Sequence, residues 1–250
     1  MKFIFKPIVK EIPFESPFSF FKKNFHSPPA FLLESTRENQ VTGRYSFLGS
    51  DPYLTLEAGK NEVVIRKKGT RAETLKIDPL SYLKSILDRF DFSRPPGLPP
   101  FFGGAVGFFS YDMGRYFERL SLQFRDEIGF PDFFLLFVDT VIVFDHMERS
   151  GKIIYFPSPE DLSEKEWKSL EKTGREKVSR FFENLKTPLP VCPDPLTFRP
   201  PSISPSDSKE AFQEKVLKCK EYIRAGEIFQ ANLSQRFTVS HINTPPPLTL

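Results

Sequence analysis

A segment near the C-terminal end of the sequence alternates apolar and polar side chains, as a strand with one wet face does. A row of amide and guanidinium groups on that wet face suits a small molecule rich in carboxylates. An edge strand with a solvated face has the same spacing, so both interpretations stay open. The apolar side chains are Phe229, Ala231, Leu233 and Phe237, and the polar ones are Gln230, Asn232, Ser234 and Arg236.

A second group of polar residues lies between two apolar runs at residues 31–49. The first run delivers Glu34 and Ser35 into a polar loop, and extended structure resumes at Tyr45 and continues to Leu48. Residues at strand ends joined by a loop often build a binding pocket. The local spacing by itself favours a plain hairpin connection.

Signatures of metal and phosphate chemistry are absent from the sequence. The three histidines are far apart and form no HExxH pattern, so we do not expect a zinc site. Gly103, Gly104 and Gly107 resemble a phosphate loop but lack its Lys-Ser/Thr ending. These glycines instead predict close backbone approach or a bulge inside a sheet.

The amino-acid composition and net charge limit the classes of protein to which this chain can belong. The 250 residues include 29 Phe and 24 Pro and carry a net charge of +3. So many aromatic residues require a core, and the charge is too small for a nucleic-acid-binding face. The N-terminal residues lack the apolar region of a signal peptide, and the apolar stretch 130–144 is too short to span a bilayer. We therefore expect a soluble, cytoplasmic protein that binds neither nucleic acid nor membrane.

The elements that position these groups follow from turn residues and apolar spacing. Short β-branched and aromatic runs between Gly and Asn residues predict an antiparallel sheet rather than alternating βαβ units. A longer strand is expected at Phe133–His146, with a hairpin return at Ile153–Phe156. The shorter predicted strands are Lys2–Lys6, Ala30–Ser35, Arg44–Leu48, Tyr53–Glu57 and Glu62–Lys67.

Caps and apolar spacing predict two helices before the proline-rich part of the chain. Asp78 followed by Pro79 begins the first helix, which ends before Pro95. Ser163 and Glu166 form a capping box that begins the second helix.

A proline-rich connector at 188–205 is the best domain boundary in the sequence. A third helix is predicted beyond it, from about Asp207 to Gly226. Its expected buried stripe consists of Phe212, Val216, Cys219 and Ile223.

Four segments of the sequence form a recognisable set. They are LLES at 32–35, GRYSFLGSDP at 43–52, FFGGAVGFFSYDMGRYFE at 101–118 and YIRAGEIFQANLSQRF at 222–237. Together they resemble component I of the chorismate-using synthases, the family of anthranilate synthase and aminodeoxychorismate synthase. The segments occur in the family's order and span most of the chain.

The resemblance implies an α+β fold of orthogonally packed antiparallel β-sheets with outer helices, truncated at its C-terminal end. It also implies three parts. Residues 1–187 form the tryptophan-pocket region, 188–205 the proline-rich connector, and 206–250 the first helix and strand of an incomplete chorismate-binding domain.

The resemblance further implies a tryptophan site between the sheets of the N-terminal part. Tryptophan is a feedback inhibitor in anthranilate synthases and a structural ligand in some aminodeoxychorismate synthases. Carried over by motif, the site consists of Ser35, Tyr45, Ser46, Phe47 and Leu48, together with Glu34 from the same LLES motif.

The family's chemistry is expected elsewhere. The resemblance implies that chorismate and Mg²⁺ are held by the C-terminal domain, whose metal ligands, acid/base residues and PI(K/A)GT segment would follow residue 250. No catalytic or metal-binding residue is therefore assigned in this chain, which we expect to be inactive alone. The implied partner is a glutamine amidotransferase subunit that supplies ammonia.

The branch of the family is open. The segment IFQANLSQRF favours aminodeoxychorismate synthase, which aminates chorismate to 4-amino-4-deoxychorismate for 4-aminobenzoate and folate synthesis. LLES suits either branch, so anthranilate synthase, inhibited by tryptophan, is the alternative, and the Lys or Ala of PI(K/A)GT decides. A third hypothesis is a non-catalytic tryptophan- or amidotransferase-binding module, which would leave Phe229, Leu233 and Phe237 exposed.

Overall fold

The computed structural model describes residues 6–25, 29–35, 43–59, 61–90, 95–118, 129–184 and 202–240. The chain divides into two compact units, one ending at Pro190 and the other spanning Val191–Thr249. The strands in chain order are β1 (Ile8–Pro13), β2 (Ala30–Leu33), β3 (Tyr45–Ser50), β4 (Leu54–Gly59), β5 (Glu62–Lys67), β6 (Glu73–Lys76), β7 (Gly104–Phe109), β8 (Phe133–Val138), β9 (Thr140–Asp145), β10 (Ser150–Tyr155), β11 (Ser202–Pro205) and β12 (Phe237–Ser240). The α-helices are α1 (Pro17–Asn24), α2 (Pro79–Leu87), α3 (Pro159–Glu164), α4 (Trp167–Asn184) and α5 (Lys209–Ala225), and a 3₁₀ helix spans Tyr111–Tyr116.

Two five-stranded sheets form the first unit. Their strand orders are β1-β10-β9-β3-β2 and β6-β5-β4-β8-β7. Every neighbouring pair in both sheets is antiparallel. The antiparallel α+β architecture expected from the sequence is therefore confirmed.

The chain passes from one sheet to the other at Asp139. The single strand predicted at Phe133–His146 is wrong, because β8 belongs to the second sheet and β9 to the first. Asp139 is only 4% exposed, and it accepts hydrogen bonds from Thr140 at 2.9 Å and from Lys177 of α4 at 2.5 Å. A strand that switches sheets needs such a corner, and the apolar run on both sides conceals it.

The alternation of β8 divides the core of the first unit in two. Phe133, Leu135 and Phe137 pack in a cluster with Leu83 and Ile86 of α2. The side chains at 136 and 138 belong instead to a cluster shared with the first sheet. That first sheet packs its far side on α1 and α4, so its central strands are buried on both faces.

Local chemistry accounts for the helix ends. Asp78 Oδ2 accepts the Ser81 N–H at 2.8 Å, which confirms the predicted start of α2. The helix predicted from Ser163 is instead two helices, α3 and α4, and the Ser163 side chain lies outside the described residues.

Among the described residues no helix is both long and apolar enough to cross a membrane.

The second unit contains α5 and the two-stranded sheet β11-β12. Ser208, not Asp207, caps α5, and Gly226 ends it at a φ of 77°, as predicted. The predicted buried stripe is wrong, because α5 has no buried residue. The strand predicted through Phe229 is also wrong, since residues 228–236 form no strand and β12 begins at Phe237.

Two further sequence predictions concern the N-terminal residues and the glycines. The strand predicted at Lys2–Lys6 lies almost wholly outside the described residues, and β1 starts at Ile8 instead. The prediction of close backbone approach is confirmed in β7, because a Cβ on Gly107 would overlap the carbonyl oxygen of Phe134 in β8. Most of the connector 188–205 is likewise outside the described residues, although its last four residues form β11.

Candidate functional site

The two motifs assigned to tryptophan binding lie on neighbouring strands. β2 and β3 are antiparallel, with Leu33 opposite Phe47 and Leu32 opposite Leu48. Glu34 and Ser35 follow β2 directly, so they emerge toward the end of β3 where Tyr45 lies. The fold therefore brings the LLES and RYSF motifs together.

The side chains of β3 nevertheless point to two different faces. Tyr45 and Phe47 share one face, with ring centroids 5.9 Å apart. Phe47 meets Phe101 edge-on at 5.7 Å, and Phe31 of β2 meets Phe101 at 6.3 Å. These rings form a continuous aromatic wall on the side of the first sheet that faces the second.

Ser46 and Leu48 lie on the opposite face of β3, and both are fully buried. Ser46 Oγ is 2.8 Å from Nε2 of His146, and Leu48 belongs to the core cluster behind the sheet. A ligand at the aromatic wall would touch Tyr45 and Phe47. Ser46 and Leu48 can act on such a ligand only by holding the backbone of β3 in place.

The two remaining predicted residues differ in exposure. Glu34 is exposed and Ser35 is half-buried. Both lie just beyond the last paired residue of β2, at the margin of the aromatic wall. A carboxylate and a hydroxyl at this margin can accept hydrogen bonds from an ammonium group.

An open groove of about 270 Å³ adjoins Tyr45. Tyr45 of β3, Val143 of β9 and residues 97–99 contribute to its lining. Ligand pockets for small molecules usually have volumes of about 300–1,000 Å³, so this groove suits a ligand of amino-acid size. The full lining is Arg44, Tyr45, Gly97, Leu98, Pro99, Val143, Asp145, Glu148, Ser150 and Lys152.

Arg44 is held firmly at the edge of the groove. Its Nη2 and Nε donate to Asp145 Oδ2 at 2.7 and 3.0 Å, and its guanidinium lies 5.0 Å from the centre of the Tyr45 ring. Burial acts to raise the pKa of Asp145, but hydrogen bonds from Arg44 and from the backbone of Glu148 and Met147 outweigh it and lower that pKa. The groove lining thus combines the aromatic ring of Tyr45 with two cations, Arg44 and Lys152, and two carboxylates, Asp145 and Glu148, of which Asp145 pairs with Arg44.

The polar row predicted near the C-terminal end does not form a ligand-binding face. Phe229 is 93% exposed, and residues 228–236 have no strand pairing that would set a face. At the end of this segment Gln235 Nε2 donates to the Asp207 carbonyl at 2.6 Å, and the Arg236 backbone N–H donates to Ser206 Oγ at 3.3 Å, so both bonds join it to the residues just before α5.

Two buried carboxylates that hold neighbouring elements together were not identified from the sequence. Asp132 is 3% exposed and bonds Arg115 and the Tyr116 hydroxyl, the latter at 2.8 Å. Asp139 bonds Lys177, as described above. The signal in the sequence was an Asp at each end of an otherwise apolar strand, which requires a paired partner when it is buried.

A site for Mg²⁺ is not found in the described part of the chain. No three side chains of His, Cys, Asp or Glu converge there as metal ligands would. The described residues therefore do not fit the metal that the resemblance implies, and no chemical step of this chain is routed through it.

Comparisons with known proteins place the chain in a family. Residues 28–249 match the family described as chorismate binding enzyme. Anthranilate synthase component 1 of Acetivibrio thermocellus is 32% identical over 249 residues, which cover 96% of this chain and 49% of that protein. Anthranilate synthase component 1 of Pseudomonas aeruginosa is 30% identical over 243 residues, covering 93% of this chain and 47% of that protein.

The fold comparison agrees. The crystal structure of anthranilate synthase component I from Streptococcus pneumoniae TIGR4 matches with a TM-score of 0.62 and 26% identity, over 85% of this chain and 46% of that one. This chain spans about half the length of the curated relatives that it matches. The shared architecture and the match across residues 28–249 show that the chain belongs to the family of chorismate-binding enzymes.

Proposed function

We propose that this chain is the N-terminal half of an anthranilate synthase component I, which makes anthranilate from chorismate. The observation that carries the proposal is the 32% identity across 96% of this chain to a protein of that name. The segment at 228–237 pointed to aminodeoxychorismate synthase, but the relatives described above bear the anthranilate name. Ammonia would come from a separate glutamine amidotransferase subunit, and Mg²⁺ and chorismate would bind outside the described residues.

The contribution of this half is a regulatory tryptophan site at the aromatic wall. The indole ring would pack on Tyr45 and Phe47, since aromatic pairs gain about 0.5–1.5 kcal/mol beyond their burial. The carboxylate of the tryptophan would lie near Arg44 and Lys152, which are the cations in the lining of the groove. The ammonium group of the tryptophan would donate hydrogen bonds to Glu34 and Ser35.

The product of the reaction tests the proposed branch. The protein encoded by the longest open reading frame that contains this chain is purified and supplied with chorismate, Mg²⁺ and ammonia. Fluorescent anthranilate is the expected product. Formation of 4-amino-4-deoxychorismate, detected as 4-aminobenzoate after addition of the matching lyase, would contradict the proposal and restore the alternative branch.

The partner is tested in the same assay. Replacing ammonia with glutamine should stop turnover until a glutamine amidotransferase subunit is added. Turnover with glutamine in the absence of any amidotransferase would contradict the proposed partnership.

A further inference from the structure

A second cavity lies beside α2 in the first unit, apart from the groove beside Tyr45. It is lined by α2, the start of β4, the end of β5 and the start of α3, and it shares no lining residue with the groove. Its volume is about 70 Å³. Because one bound water needs about 10–15 Å³ of such space, the cavity has room for a group of roughly five heavy atoms.

The apolar walls of this cavity belong to the core of the second sheet. Leu54 of β4 lies opposite Lys67 of β5 on one side and Phe137 of β8 on the other, so the three side chains share one face. The rings of Tyr53 and Phe90 lie on the buried Phe137, with ring centroids 6.4 and 6.0 Å away. Core packing therefore fixes the shape of the cavity before any ligand binds.

Two half-exposed cations of the lining meet at a single carboxylate oxygen. Arg89 Nη1 donates to Glu160 Oε1 at 2.9 Å, and Lys67 Nζ donates to the same atom at 3.5 Å. The lining thus holds two cations and one carboxylate, which gives it a net charge of +1. Like charges held this close repel each other, so a second anion beside Glu160 would be stabilised.

The other carboxylates near the cavity do not supply that anion. Asp161 pairs with Lys165 at 2.7 Å, and Asp139 pairs with Lys177 at the sheet corner. Glu73 of β6 is exposed to water and is not part of the lining. These three carboxylates therefore leave the excess positive charge of the lining in place.

Two tyrosines add neutral donors to the same cavity. Tyr53 and Tyr82 both line it, and neither phenol hydroxyl bonds to another residue in the described part of the chain. Burial is the main cause that raises the pKa of both tyrosines above the ordinary value of 10, so both keep their protons at neutral pH. Each hydroxyl can therefore donate to an anion, as Lys67 and Arg89 can.

We propose that this cavity binds a free tetrahedral oxyanion of the size of inorganic phosphate, held by the two cations and the two phenol hydroxyls. Phosphate has about five heavy atoms, which matches the volume, and its four oxygens match the four donor groups, whereas a carboxylate offers only two. The anion would share both cations with Glu160. The proposal depends neither on the branch of the family nor on the groove beside Tyr45, so its failure would leave both untouched.

Amide chemical shifts of the folded 250-residue chain test this proposal. Inorganic phosphate is titrated against chloride at equal ionic strength, and acetate serves as the carboxylate probe. Saturable shifts are expected at the amides of Lys67, Arg89 and Glu160 with phosphate and not with chloride, and acetate should bind at least about tenfold more weakly. Equal responses to phosphate and chloride, or equal affinities for phosphate and acetate, would overturn the proposal.

A matched pair of variants separates a built site from general surface attraction. Lys67→Gln and Arg66→Gln each remove one cation from the end of β5, but Arg66 lies on the opposite face and pairs with Glu57 at 2.8 Å. Lys67→Gln should weaken phosphate binding by about tenfold or more, because a charged donor is lost. Arg66→Gln should change the affinity by less than about twofold. Equal effects of the two variants would contradict the site.

A third variant tests whether Glu160 and the anion share the same cations. Glu160→Gln removes the carboxylate but keeps the size of the side chain, so we expect phosphate to bind at least about fivefold more tightly. Tyr53→Phe, which removes one hydroxyl alone, should weaken binding by about threefold. Circular dichroism confirms that each variant is folded. Weaker or unchanged binding by folded Glu160→Gln would mean that the ion pairs only hold α3 on α2 and β5, and it would contradict the proposal.

Discussion

The helices of the two units are capped by the same kinds of residue, but only the helix of the first unit has buried side chains. α2 in the first unit is capped by Asp78, and two of its leucine and isoleucine side chains, Leu83 and Ile86, are buried. α5 in the second unit is capped at both ends, by Ser208 and Gly226, yet none of its residues is buried. Capping therefore decides where a helix begins and ends, while burial depends on a partner surface.

This difference shows where the stability of the chain resides. Most helical stability in proteins comes from packing an apolar face and not from local propensity. The first unit has two core clusters, whereas the described side chains of the second unit leave Leu217 57% and Phe237 60% exposed. We therefore expect the first unit to dominate the free energy of unfolding.

The largest expected effect comes from deleting a core side chain. Ile142 is fully buried in β9, and Ile142→Ala should lower the free energy of unfolding by about 2–5 kcal/mol because it leaves a cavity. The matched change in the second unit, Leu217→Ala, should cost less than about 0.5 kcal/mol. Urea unfolding is followed by the fluorescence of the single Trp, Trp167 in α4, which reports on the first unit, and by helical circular dichroism, which also reports on α5; equal costs would refute the comparison.

The buried ion pair at the sheet corner gives the next effect. The side chains of Lys177 and Asp139 are 19% and 5% exposed, so Lys177→Met leaves a carboxylate buried without its cation. The expected loss in the free energy of unfolding is about 3 kcal/mol, the low end of the range for a buried pair that loses one partner. Lys215→Met is the control, because its pair with Asp207 in the second unit is more exposed and should contribute less than about 1 kcal/mol.

Removing a helix cap should change a different signal in each unit: the free energy of global unfolding for α2, and the helical circular dichroism for α5. Asp78→Ala should lower the free energy of global unfolding by about 1 kcal/mol, because α2 unfolds together with the first unit. Ser208→Ala should reduce helical circular dichroism without moving the global transition. A shift of the global transition by Ser208→Ala would show that α5 is part of the cooperative unit.

The smallest effect is a dependence on pH. The pKa of Asp145 is held below its ordinary value of 3.8, so its contribution to stability is present above that value and is lost as pH falls through the lower, folded-state pKa. Stability of the first unit should therefore decline at acid pH below about 4, and less steeply in Asp145→Asn. Acid titration of the Trp167 fluorescence measures both slopes; an unchanged slope in the variant would exclude Asp145 as a contributor.

Local patterns in the sequence predicted the elements whose signals are local. β5 has the predicted bounds, and α2 and the end of α5 were identified from Asp78 and Gly226. The corner at Asp139 was missed, because a continuous apolar run does not say which sheet each half joins. The strand at residues 228–237 was wrong for a related reason, since alternation predicts an extended face only where a pairing strand is present.

The site was predictable only in part. The resemblance identified the motifs on β2 and β3, which the fold does bring together. It did not separate Tyr45 and Phe47 from Ser46 and Leu48, although the two-residue period of a strand places them on opposite faces. Asp145 and Lys152 were missed as lining residues, because they are about a hundred positions away from Tyr45 and only the register of β3, β9 and β10 brings them there.

Calorimetric titration of the folded chain with L-tryptophan tests most directly whether the aromatic wall is a ligand site. We expect saturable binding by the unmodified chain, much weaker binding by Arg44→Ala, which removes the cation beside Tyr45, and unchanged binding by Thr74→Ala on β6. Circular dichroism of each variant confirms that it is folded. Absence of heat with the folded, unmodified chain, or equal affinity of Arg44→Ala and the unmodified chain, would contradict the proposed tryptophan site.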